Sequence, residues 1–133
     1  MGGRRLTSFG KRRQIALRLG IFLLMSPEDN SFKDFVLDQL SELNEIDCRL
    51  MFGGYGLYHR LIFFGIIFKG RLYFKTDPIS KGEYTKRHMK PFRPNTKQTL
   101  KTYYEVPDEI LEDREHLTQW ALMSCSIVNE SRS

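Results

Sequence analysis

The chain has 133 residues, 41% of them hydrophobic and 13% aromatic, a composition that excludes a disordered chain and suits one domain with its own core. Its two cysteines, Cys48 and Cys125, make neither a disulfide framework nor a zinc site, so a reduced, cytoplasmic setting is expected. The net charge of +5 alternates along the chain: +6 over residues 1–26, −6 over 27–48, +10 over 49–102 and −5 over 103–133.

Residues 1–25 differ from everything after them and are expected to form a basic extension outside the fold. Arg18 interrupts the apolar run, and no small-residue cleavage site follows, so a secretory signal fits poorly. The run is also shorter than the roughly 20 apolar residues that a spanning helix needs, and no membrane association is expected. Met25 is the natural first residue, with the domain over 26–128 and a tail at 129–133.

Ser31 opens an S-x-x-D pattern, and Phe32, Val36, Leu40 and Leu43 recur at helical spacing, predicting an amphipathic helix over 32–44. From Arg49 the pattern turns to β. A first strand is expected near 49–60, bent at Gly53-Gly54, a second at 62–68 and a third at 71–76. Lys69-Gly70 reads as a two-residue hairpin loop, which pairs Phe68 with Arg71, Ile66 with Tyr73 and Phe64 with Lys75. One sheet face then holds Phe64, Ile66, Phe68, Arg71, Tyr73 and Lys75, half apolar and half basic. The other holds Phe63, Gly65, Ile67, Leu72, Phe74 and Thr76 and should meet the helices.

Ser80 and Glu83 form a second capping pattern, opening a short helix near 81–88. The proline-broken "PFRPNTKQT" suits an edge strand or loop, and 100–106 a further strand. A last helix should start at Asp108, its N-cap, and run to about 127, with Ile110, Leu117, Ala121 and Ser124 on one stripe. The order is α-β-β-β-α-β-β-α: an α+β fold of two layers, a mostly antiparallel sheet with helices on one face.

Little in the chain spells catalysis. Gly54-Tyr55-Gly56 begins a dinucleotide fingerprint, but His59 stands where the third glycine belongs and a strand follows where a helix is needed. His59, His88 and His116 are scattered without metal-ligand spacing. No nucleophile–base set emerges, and neither cofactor, metal nor catalytic residue is expected. The basic middle remains. Arg71, Lys75, Lys81, Lys86, Arg87, Lys90, Arg93, Lys97 and Lys101, interleaved with Tyr73 and Phe92, suit a nucleic-acid surface. The half-apolar face suits a protein interface or a homodimer at least as well.

"MFGGYGLY" (51–58), "FFGIIFKGRLYFKTD" (63–77), "MKPF", "YYEVP", "ILED" and "LTQWA" together resemble the N-terminal domain of the TfoX/Sxy family, over about Ser31 to Cys125. The resemblance implies an α+β fold and a non-enzymatic regulatory or adaptor role in transcriptional control of competence genes. It also implies work through protein contacts, with the cyclic-AMP receptor protein or RNA polymerase as partner. Direct nucleic-acid binding by the basic sheet face, DNA included, is the alternative. His59-Arg60-Leu61 departs from the family's glycine-containing turn, and His88 from the glycine usual before "MKPF". The expected surface comprises Phe64, Ile66, Phe68, Arg71, Tyr73, Lys75, Lys86, Arg87, Lys90 and Arg93.

Overall fold

The computed structural model describes residues 27–132 apart from Phe52. The expected extension at 1–25 lies outside the described residues.

The first helix, α1 (Pro27–Gln39), begins a turn earlier than expected. Proline at the first helical position fits, since its missing N–H is one the helix start would leave unpaired. Ser31 therefore sits inside the helix, buried, with its hydroxyl unpartnered, and does not cap it. Phe32, Val36 and Leu40 are buried as the spacing predicts.

The stretch read as one bent strand is a pair, β1 (Ile46–Met51) and β2 (Gly54–His59), joined by a tight reversal with Gly53 at φ +77°. Met51 faces Gly54, so the chain folds back on itself there. β2 continues into β3 (Ile62–Phe68), and β3 into β4 (Arg71–Lys75). Lys69 and Gly70 have φ of 51° and 73°, as the expected hairpin loop requires, and Phe68–Arg71 and Ile66–Tyr73 pair as read from the sequence.

Next comes α2 (Lys81–Thr85), shorter than expected. Its start is held by a reciprocal pair: the Ser80 N–H donates to Asp77 Oδ1 at 2.7 Å, and the Asp77 N–H to Ser80 Oγ at 3.0 Å. Glu83 does not close a capping box; it binds Lys86 and Arg87. β5 (Pro91–Asn95) and β6 (Gln98–Glu105) form a second hairpin, followed by α3 (Asp108–Leu111) and α4 (Arg114–Arg132). The single last helix expected from 108 is thus two. Asp113 caps the longer one, accepting from the His116 N–H at 3.1 Å. Its final turns run through residues expected as a tail.

The six strands form one antiparallel sheet in the order β1-β2-β3-β4-β6-β5, and all helices bury against one face of it. This is the expected α+β, two-layer architecture, with the expected element order once the first strand is resolved into its hairpin. Leu57, Phe64, Ile67, Leu72 and Phe74 from the sheet meet Val36, Leu40, Ile110, Leu117 and Ala121 in a single core. Polar contacts add one tie within the helix layer and one between that layer and the sheet. Arg114 donates to the Asp38 carbonyl at 2.7 Å, joining α4 to α1, and Ser124 Oγ donates to the Lys75 carbonyl at 2.8 Å.

One register change decides which residues reach the other face. Leu57 pairs with Gly65 but Tyr58 pairs with Phe63, so Phe64 has no partner on β2. This bulge inverts the alternation. Phe64, expected on the outer face beside Lys75, lies fully inside the helix-side core against Phe74, with ring centroids 5.6 Å apart. Phe63, expected inside, turns outward onto Tyr58 and Tyr103.

Candidate functional site

The outer sheet face carries its own cluster. Ile66, Tyr73 and Phe92 are buried there, with Phe63, Phe68, Leu100 and Tyr103 partly covered around them. Phe92 belongs to β5, two strands from β4. Register shifts on both sides of Phe92 bend β5 across this face. Its ring then lies 4.8 Å from that of Tyr73 and 5.3 Å from that of Phe68. Ile66 and Tyr73, expected as an open surface, are therefore roofed by the protein's own hairpin.

Beside that roof is a cleft of about 510 Å³ lined by Phe68, Lys69, Arg71, Tyr73, Arg93 and Pro94, with Asn95 and Thr96 at its end. Four of the residues expected in the site meet here: Phe68, Arg71, Tyr73 and Arg93. The cleft has an aromatic floor and a cationic rim. Arg71 is held across the sheet by both oxygens of Glu105, at 3.0 and 2.9 Å, a hydrogen-bonded pair that raises its already high pKa. Arg93 donates to the Thr96 carbonyl at 3.2 Å, and Lys69 stands 5.3 Å over the Phe68 ring. Tyr73 keeps its proton above the ordinary range, chiefly through burial and then through the Glu105 charge.

The remaining expected residues lie elsewhere. Lys86 and Arg87 follow α2 on the helix side. Both bind Glu83, and Arg87 also binds Glu109 at 3.1 Å while lying over the Trp120 ring. Lys90 is exposed in the link to β5. Lys75 is at the far end of β4, its Nζ 5.3 Å over the Tyr103 ring and 3.1 Å from Thr102 Oγ1. Three of the six cations of the expected surface thus have carboxylate partners inside the domain, and for Arg71 and Arg87 one such partner, Glu105 and Glu109 respectively, is distant in sequence.

Sequence reasoning missed a second group on this face. Tyr58, Phe63 and Tyr103 form a row with centroids 5.2 and 5.7 Å apart, and Arg49 lies 4.7 Å over the Tyr58 ring. Burial, then the nearby Tyr58 charge, pushes the Tyr103 hydroxyl up to about 12. The row exists because the bulge turns Phe63 outward, and an unbroken apolar run carries no period from which to place a bulge.

Among the described residues no group of three or more His, Cys, Asp or Glu is placed to hold a metal ion. Burial pushes the thiols of Cys48 and Cys125 up to about 11, which disfavours the nucleophilic thiolate at neutral pH. No helix among the described residues is long and apolar enough to cross a membrane.

These features define a small α+β domain that packs its helices on one sheet face and holds aromatic rings under cations on the other. The chain belongs to the TfoX N-terminal domain family, whose profile matches residues 38–127, from within α1 to within α4. No curated protein matches the chain.

Proposed function

We propose that this domain is a non-enzymatic regulatory adaptor of TfoX type, acting in transcriptional control through protein contacts made by the outer sheet face. The supporting observation is the cleft of Phe68, Tyr73 and Pro94 rimmed by Lys69, Arg71 and Arg93. An apolar floor with a basic rim suits an acidic protein segment carrying an apolar anchor, since the anchor gains by burial and the rim steers the approach. The alternative, nucleic acid bound directly by the basic residues of the expected surface, is less well supported. Arg71, Lys86 and Arg87 already face carboxylates, and only Arg71 among them lies at the cleft.

The family resemblance names the partners to try. Immobilised domain is incubated with purified RNA polymerase and, separately, with cyclic-AMP receptor protein. Binding to one of them is expected, falling at least about tenfold in the Lys69→Glu/Arg93→Glu variant, as loss of rim charges at a small interface predicts. Retention of neither protein, or equal retention by the variant, would overturn the reading.

A further inference from the structure

The Tyr58–Phe63–Tyr103 row is separate from the cleft and asks for a different ligand. Its three rings are each partly exposed on a side that no helix covers. Side chains of β2, β3 and β6 supply them, so a rigid sheet fixes their spacing. Cations lie over the two outer rings: Arg49 over Tyr58 and Lys75 over Tyr103.

The charges differ in how free they are. Arg49 shares its charge with Asp47 at 2.9 Å. Lys75 has a hydroxyl partner, Thr102, and no carboxylate among the described ion pairs. Beyond Lys75 the surface opens into a second cavity of about 510 Å³, where Lys81 and Lys101 join it. The acids lining that cavity are Asp77 and Glu130. Asp77 accepts from the Ser80 N–H and stays ionised, so the three lysines outnumber the two acids in this cavity. Rings in a row with lysines continuing from one end are what an unpaired nucleic-acid strand requires: faces on which bases stack, and positive charge along the backbone path. A duplex does not fit this reading, because its bases are already stacked and cannot present their faces to the rings.

We propose that the outer face around Tyr58, Phe63 and Tyr103 binds single-stranded nucleic acid, with bases stacked on the rings and phosphates held by Lys75, Lys81 and Lys101. This goes beyond the adaptor reading and stands on different residues.

The test is fluorescence anisotropy with the full chain and labelled oligo-dT and oligo-U of about 12 nucleotides, within the length that one such platform covers. Comparison of the two probes separates DNA from RNA as the preferred strand. Binding is expected to weaken as salt rises. Tyr58→Ala and Tyr103→Ala should each weaken it by about 5- to 100-fold, as the loss of one stacking ring does. Tyr103→Phe, which keeps the ring, should bind as the parent does. Lys75→Gln should lower the salt slope by about one. The Lys69→Glu/Arg93→Glu variant should bind the strands normally, which separates this site from the cleft. Thermal melts confirm folding, and if Tyr103→Ala does not fold, Tyr58→Ala with Tyr58→Phe carries the comparison. Absence of binding at low salt would refute the proposal. So would duplex bound as tightly as single strand, or alanine variants that bind like the parent.

Discussion

The two faces of the sheet are built from similar residues and put to different use. On the helix side, Leu57, Phe64, Ile67, Leu72 and Phe74 are each almost wholly buried, and every helix contributes to the same core. On the outer side, among the described residues, only Ile66, Tyr73 and Phe92 are buried, while four further apolar or aromatic residues remain partly open. Three of the outer rings, on Phe68, Tyr58 and Tyr103, have a cation over them. A cation over a ring at an exposed site contributes little to folding, about 0.5–1 kcal/mol, so a ligand that displaces it from the ring face gives up little. The helix-side face supplies stability, and the outer face keeps apolar area that the fold has not used. Unused apolar area in one patch is what a binding surface looks like.

The largest effect should therefore come from the helix side. Phe74→Ala removes a ring with no exposed surface that packs on Phe64, and should cost about 3–5 kcal/mol in denaturant unfolding. Phe68→Ala on the outer face should cost about 1 kcal/mol, within the ordinary range for a partly exposed side chain. Equal losses at the two positions would erase the distinction between the faces.

That distinction was only half legible in the sequence. The helix stripes are strongly periodic, and the Lys69-Gly70 loop fixes the β3–β4 register, so Ile67, Leu72 and Phe74 fall inside as read. The outer face depends on two irregularities that leave no periodic trace. One is the bulge at Phe64, which exchanges Phe64 and Phe63 within an unbroken apolar run. The other is the bend of β5, which carries Phe92 over Tyr73. Charge was misleading for a related reason. Arg71 looks available in sequence, but its partner Glu105 lies 34 positions away and arrives only through the β4–β6 pairing. The two places where the chain departs from the family's glycines do have a physical meaning. Leu61 and His88 have φ of 70° and 63°, in the region that favours glycine.

Those left-handed residues give the second prediction, smaller and opposite in sign. Leu61 closes the β2–β3 hairpin with 78% of its surface exposed, so its side chain gains little from packing while its backbone is strained. Leu61→Gly should stabilise the domain. Relief of strain is worth about 1–2 kcal/mol, and the extra freedom glycine gives the unfolded chain takes back part of it, leaving about 0.5–1 kcal/mol. The gain would show as a higher denaturant midpoint at unchanged slope. A lower midpoint would mean that the Leu61 side chain contributes more than its exposure suggests.

The smallest effect concerns acid, and it separates the two layers by their charges. Three carboxylates near the helix ends are held below their ordinary values. Asp77 is lowered chiefly by the Ser80 backbone N–H, Glu83 by hydrogen bonds from Arg87 and then Lys86, and Asp113 by hydrogen bonds from His116. A carboxylate whose pKa is depressed by folding favours the folded state while it is charged. Its contribution is complete above the unfolded value and is lost as pH falls through the folded one. Stability from these groups should thus be constant from neutral pH down to the ordinary glutamate value of 4.5, then decline as pH passes below the ordinary aspartate value of 3.8. All three groups are solvent-exposed, so each step is small. Asp77→Asn keeps the side chain's acceptor oxygen but removes its charge, and should flatten the acid limb of a plot of melting temperature against pH. The same substitution removes a negative charge from the cavity that Lys81 and Lys101 share, so nucleic-acid binding on the aromatic row should strengthen modestly at neutral pH. An acid limb identical in parent and variant would place the acid sensitivity elsewhere than at the start of α2.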